Sequence, residues 1–162
     1  MMKLVSIKTA IIAATIGLSA GAMGAMADET SLDKAQAKAV VTARQDAFEE
    51  LKDLMAPLGG MARGKVDMDA GLVAKNAAQM ATVSASLHEM FEVDTSGFDI
   101  ENRSDAKIWS SMDDFTAKID ALTQASGVLE AAGVAGDAGG IKKAIVGVGQ
   151  TCKSCHTEYR TE

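Results

Sequence analysis

Two cysteines and a histidine stand together near the C-terminal end of the chain, in Cys152-Lys153-Ser154-Cys155-His156. The order C-x-x-C-H suits covalent attachment of a c-type haem. Each thiol can add its sulfur across one porphyrin vinyl group, and the next residue offers an imidazole to the iron. On a helix, Cys155 follows Cys152 by three residues and His156 follows by four, so the three side chains share one face. Other chemistries fit less well. A disulfide between helical positions i and i+3 is poorly placed and closes a trivial loop. A thioredoxin-like redox pair wants a helix start after a strand, and nothing in the chain alternates like a strand. A zinc site needs more ligands than two Cys and one adjacent His; the second histidine, His88, lies in a distant segment.

The other end of the chain speaks to location. Lys3 and Lys8 make a positive start, residues 9–22 are nearly all apolar or small, and Ala25-Met26-Ala27 is an A-x-A cleavage site before Asp28. The apolar run is short for a membrane span. Residues 1–27 are therefore expected to be a cleaved secretory signal and residues 28–162 the mature domain. Covalent haem attachment belongs on the exported side, so both ends of the sequence point to a periplasmic protein. Without the leader the chain keeps 14 Lys+Arg against 22 Asp+Glu, a formal charge of −8 (14 − 22). That acidity argues against nucleic acid or anionic lipid as a partner.

The elements that must position the motif read as four amphipathic helices. The first is expected over residues 32–58, with the seam Ala37, Val41, Arg44, Phe48, Leu51, Met55, Leu58. The second covers 69–91, with Asp69 as N-cap and Val73, Asn76, Met80, Val83, Leu87, Met90 in its seam. The third covers 104–132, with Ile108, Met112, Phe115, Ile119, Leu122, Ser126, Leu129. The fourth covers 137–159, with Ile141, Ile145, Val148, Cys152, Cys155, Tyr159. Steps alternating between four and three predict an all-α antiparallel four-helix bundle, joined through residues 59–68, 92–103 and 133–136.

Both cysteines fall on the core-facing seam, which places an attached haem inside the bundle near one end. Arg44 is a charged residue in an apolar seam, and an unpaired buried arginine is costly. Either it snorkels out along its stem, or it faces an anion such as a haem propionate.

In these features the chain resembles the cytochrome c′ family of class II c-type cytochromes. The matching stretches are Ala43-Arg44-Gln45, then Pro57 and Met61 after the first helix, Lys107-Ile108-Trp109, and Cys152-Lys153-Ser154-Cys155-His156 followed by Tyr159-Arg160. The resemblance implies one covalent haem c on Cys152 and Cys155, with His156 as proximal iron ligand. It implies that Arg44 and Gln45 lie against the haem, that Arg160 lies near the proximal side, and that Phe48 covers the distal face.

In the family it resembles, an apolar residue at that distal position goes with five-coordinate, high-spin iron, and the resemblance implies the same here. Phe48 has no lone pair, and Met55 in the same seam is roughly 10 Å further along the axis. His88 is expected to be exposed, Trp109 to pack the pocket, and most remaining methionines to fill the core. The expected function is therefore binding of diatomic gases such as NO and CO, transfer of single electrons to redox partner proteins, or both, without enzymatic turnover. The alternatives are a low-spin, six-coordinate electron carrier, and a gas sensor acting through a partner. The resemblance also implies a homodimer through the first two helices, whose outer faces are expected to carry Ala47, Glu50 and Leu54.

Overall fold

The computed structural model describes residues 32–162, which form one compact unit. The expected leader and its cleavage site lie outside the described residues. There are four long helices, α1 (Lys34–Ala62), α2 (Ala70–Phe91), α4 (Met112–Ala135) and α5 (Ala138–Tyr159), and one single-turn helix, α3 (Lys107–Ser110), in the link between α2 and α4. Helix α2 packs against α1 and α4, and α5 packs against α4 and α1, which closes the antiparallel bundle. Among the described residues the sole β pairing is an isolated antiparallel bridge between Ser104 and Arg160.

Sequence chemistry sets most helix starts. Asp33 accepts from Gln36 N at 2.8 Å while the Gln36 side chain returns to Asp33 N at 2.9 Å, a reciprocal capping box. Asp69 caps α2 through Leu72 N, and Asp137 caps α5 through Gly139 N. Helix α4 ends at Gly136, whose φ of 67° is left-handed backbone that suits glycine. The reversal into α5 can therefore be short.

The seams bury the expected rows, with local departures. Ala47 is buried in the core and cannot belong to an outer face, while Phe48 is only half-buried. Cys152 and Cys155 are half-buried and pack against the core rather than lying within it.

Two boundaries differ from expectation. Helix α1 continues through Pro57 and Gly59 to Ala62, so Pro57 and Met61 lie inside it. Proline removes one i→i−4 bond and crowds the preceding turn. Here Asn76 of α2 donates its Nδ2 to Leu54 O at 2.9 Å, which gives the backbone a partner beside the interruption. The third helix is broken: residues 104–106 are not helical, and Ser111, at φ −136° and ψ 40°, separates α3 from α4. Asn102 and Asp105 accept from backbone N–H groups two residues on, at 2.8 Å each. Such turns compete with a helix. The break lets Ile108 stay buried while Trp109 Nε1 reaches Phe91 O at 3.1 Å.

Helices α2 and α4 approach closely where Gly133 meets Ala74. A Cβ built on Gly133 would stand 2.6 Å from Ala74 N. The buried Ser84 and Ser126 lie in the same two helices; their hydroxyls bond Ala81 O at 3.1 Å and Leu122 O at 2.9 Å.

Candidate haem site

The C-x-x-C-H motif occupies the last turns of α5. Cys152 and Cys155 are free thiols on the side of the helix that meets the core. Burial pushes both thiols above their ordinary pKa. They are thus held as S–H groups at neutral pH. His156 is displaced the other way, by burial first and by the nearby Arg160 cation second. Its imidazole therefore stays neutral, with a nitrogen lone pair free for a metal.

The end of α5 is fixed by a short run of pairings with the segment before α3. Asp105 N donates to Tyr159 O and Thr161 N donates to Arg103 O, both at 3.0 Å. The Tyr159 ring is buried, meets Phe115 edge to face at 5.2 Å, and donates its hydroxyl to Asp114 Oδ2 at 2.6 Å. Burial and that carboxylate push the phenol up to about 12. The turn carrying His156 is therefore anchored immediately after that histidine.

Opposite α5 stands Phe48 of α1. Its ring and that of His156 meet edge to face with centroids 6.4 Å apart. The His156 imidazole and the Phe48 ring thus meet from the last and first helices, with the two sulfurs on the same helix as His156. This donor set fits a covalent haem: two protonated thiols at i and i+3, a neutral imidazole at i+4, and an apolar ring facing it. Among the described residues no group of three or more His, Cys, Asp or Glu side chains is placed to hold a metal ion, so zinc finds no cluster. His88 is engaged elsewhere, with Nε2 against Asp120 Oδ1 at 2.8 Å.

Nearly the whole of the described chain matches the family model for cytochrome C′, over residues 39–160. The chain belongs to the cytochrome c′ family. It is 32% identical to cytochrome c′ of Pararhodospirillum photometricum over 78% of its own length and 99% of that protein. The crystal structure of cytochrome c′ from Rubrivivax gelatinosus superposes with a TM-score of 0.71 at 30% identity, covering 77% of this chain and 97% of that one. A nitric oxide complex of a point variant of cytochrome c prime from Alcaligenes xylosoxidans also superposes at 0.71, with 27% identity, over 80% and 99% of the two chains. Membership makes this a haem-binding c-type cytochrome.

Within that frame Arg44 has a specific place. It is buried, so it does not snorkel into solvent. Its Nε donates to Met90 O at 2.9 Å, one terminal nitrogen to Thr95 Oγ1 at 2.7 Å, and the other to Val93 O at 2.5 Å. The guanidinium also lies over the Phe91 ring at 4.3 Å and faces Trp109 at 5.4 Å. Helices end with unpaired carbonyls and a negative dipole pole, and a cation placed there satisfies both. Burial lowers the pKa of Arg44 to about 10, partly offset by Asp94. It remains charged at neutral pH. The acceptors expected from a propionate are thus supplied by α2 and the loop after it. Three of the five N–H donors of a guanidinium are used in this way.

Gln45 donates to Glu101 O at 3.3 Å and ties α1 to the same loop. Arg160 lies beside His156 in an open recess lined also by Arg103, Thr161 and Glu162. The sequence reading did not include Thr95, Phe91 or Asp114 in the site. Phe91 and Asp114 sit in recognisable helices, but their partners are distant in sequence. Thr95 is a buried residue in a loop, where no periodicity flags it.

Proposed function

We propose that this cytochrome is an exported, monohaem, high-spin protein that binds a diatomic gas on the iron face under Phe48 and passes single electrons, without enzymatic turnover. The observation that carries the reading is the Phe48 ring standing opposite His156. A haem, when bound, supplies an iron centre able to exchange one electron and to take a small ligand. Cys152 and Cys155 hold it to α5, and His156 offers the single protein nitrogen. Phe48 provides no lone pair, so it excludes water without ligating. Ligand entry is then governed by packing rather than by hydrogen bonding. The solved nitric oxide complex of the Alcaligenes xylosoxidans relative supports this choice of ligand class. Periplasmic location is supported by the signal-like leader, and among the described residues no helix is long and apolar enough to cross a membrane. Titrating the reduced protein with carbon monoxide and with nitric oxide tests the reading. Saturable binding of each gas is expected, and a reduced protein that takes up neither gas contradicts it.

A homodimer through α1 is part of the same proposal. Lys34, Lys38, Thr42, Asp46 and Glu50 form an exposed row with a spacing of four along α1. Two such rows crossing antiparallel about Thr42 place Lys38 against the partner's Asp46 and Lys34 against the partner's Glu50. Interdigitated i±4 ridges are a common way for helices to cross. Sedimentation of the parent should show a dimer, and Lys38→Glu should weaken it; a monomeric parent at micromolar concentration overturns this part.

A further inference from the structure

We infer that Phe91 sets how far Phe48 can withdraw when a ligand enters, and so controls the rate of gas access through that ring. The inference rests on the reading of Phe48 as the distal cover. Phe48 meets two rings, that of His156 with centroids 6.4 Å apart and that of Phe91 with centroids 6.2 Å apart and the planes at 64°. The ring must leave the His156 side to admit a ligand. Movement inward brings it onto Phe91.

Phe91 has no room to yield. It is 2% exposed, and its ring meets Phe115 at 4.8 Å, Trp109 at 6.4 Å and the Arg44 guanidinium at 4.3 Å. Its backbone is pinned as well. Trp109 Nε1 bonds Phe91 O, and Arg44 Nε bonds Met90 O one residue earlier. A close-packed interior transmits such a constraint rather than absorbing it. Phe48 is half-buried and has fewer restraints, so the rigid wall behind it determines its retreat. Phe91 is a positioning residue: it acts on the ligand only through Phe48.

A double-mutant cycle on the haem-loaded protein tests this, with carbon monoxide association to the reduced protein measured by flash photolysis. Phe91→Leu vacates volume behind Phe48 and should raise the association rate several-fold. In a Phe48→Ala background the same change should have no effect on the rate, because the ring through which it acts is gone. Crystals of Phe91→Leu should show the Phe48 ring turned into the vacated space. Thermal unfolding serves as the control for a purely structural role, which lowers the melting temperature in both backgrounds and leaves both rates unchanged. Phe91→Met provides a second variant if the leucine protein does not fold; it vacates a similar volume with a more flexible side chain and should also raise the rate. An unchanged rate with Phe48 present, or equal acceleration in both backgrounds, overturns the inference while leaving Phe48 as the cover. Equal rates for Phe48→Ala and the parent would remove both readings together.

Discussion

Arg44 Nε donates to Met90 O at 2.9 Å, so a cation on α1 caps the C-terminal end of α2. Bonds to Val93 O and Thr95 extend the clamp into the following loop. Removing the guanidinium leaves Met90 O and Val93 O without this partner. Arg44→Met should therefore destabilise the protein by about 2–4 kcal/mol, because acceptors are left unpaired and a cation–aromatic contact is lost. Urea unfolding of the haem-loaded protein measures the loss, and hydrogen exchange should quicken at residues 93–95. A variant as stable as the parent would contradict the clamp. A redox potential whose pH dependence changes in the same variant would show that the remaining N–H donors serve a propionate as well.

Phe48→Ala should bind carbon monoxide faster and more tightly than the parent, with His156 still on the iron. The gain is bounded by the roughly 3–5 kcal/mol at which buried aromatic truncations act, and a half-buried ring should give less. Rapid mixing or flash photolysis of the ferrous proteins measures it. Ferrous protein is the cleaner comparison, since water can enter the emptied space and bind ferric iron.

The Tyr159 phenol titrates at about 12 in the folded protein, against an ordinary value of 10. The folded state thus keeps a proton that the unfolded state releases. This contribution to stability is complete below pH 10 and is lost as pH rises from 10 to 12. Arg44 acts in the opposite sense, because its pKa is lowered from 12.5 to about 10 and the unfolded state binds the extra proton between those values. The stability difference between the parent and Tyr159→Phe cancels the Arg44 effect. That difference should be level from neutral pH to pH 10 and shrink above it, as measured by denaturant unfolding; a difference independent of pH from 7 through 12 would contradict the assignment.

Gly133→Ala should destabilise the bundle by about 1–3 kcal/mol, since the new methyl group meets the Ala74 backbone rather than a flexible side chain. Thermal unfolding would measure it. Gly127→Ala, where a Cβ meets nothing within 4 Å, is the matched control and should be neutral or slightly stabilising.

Much of this architecture was legible in the sequence because local chemistry and periodicity agree. Asp69 and Asp137 announce two helix starts, and the row from Val73 to Leu87 is buried as its spacing requires. The motif from Cys152 to His156 reads directly, since its meaning lies in residue type and spacing alone. Pro57 misled because the helix continues through it, with Asn76 of another helix bonding Leu54 O next to the carbonyl that the proline leaves without its helical donor. The break at Ser111 is hidden for the same reason: Trp109 is drawn to Phe91 O, a contact between distant segments. Arg44 was recognised as anomalous, but its acceptors could not be read, because nothing in the sequence brings the end of α2 to the middle of α1. Phe91 stood in plain view as an apolar helix terminus, and its neighbours alone give it a place behind Phe48.

The absorption spectrum of the reduced protein tests the central claim most directly. With His156 as the one protein ligand and Phe48 over the other face, the account predicts the broad bands of five-coordinate, high-spin iron, converted by carbon monoxide to those of a six-coordinate complex. Sharp low-spin bands in the reduced protein without added ligand would show that a side chain already occupies the sixth position, and would contradict it.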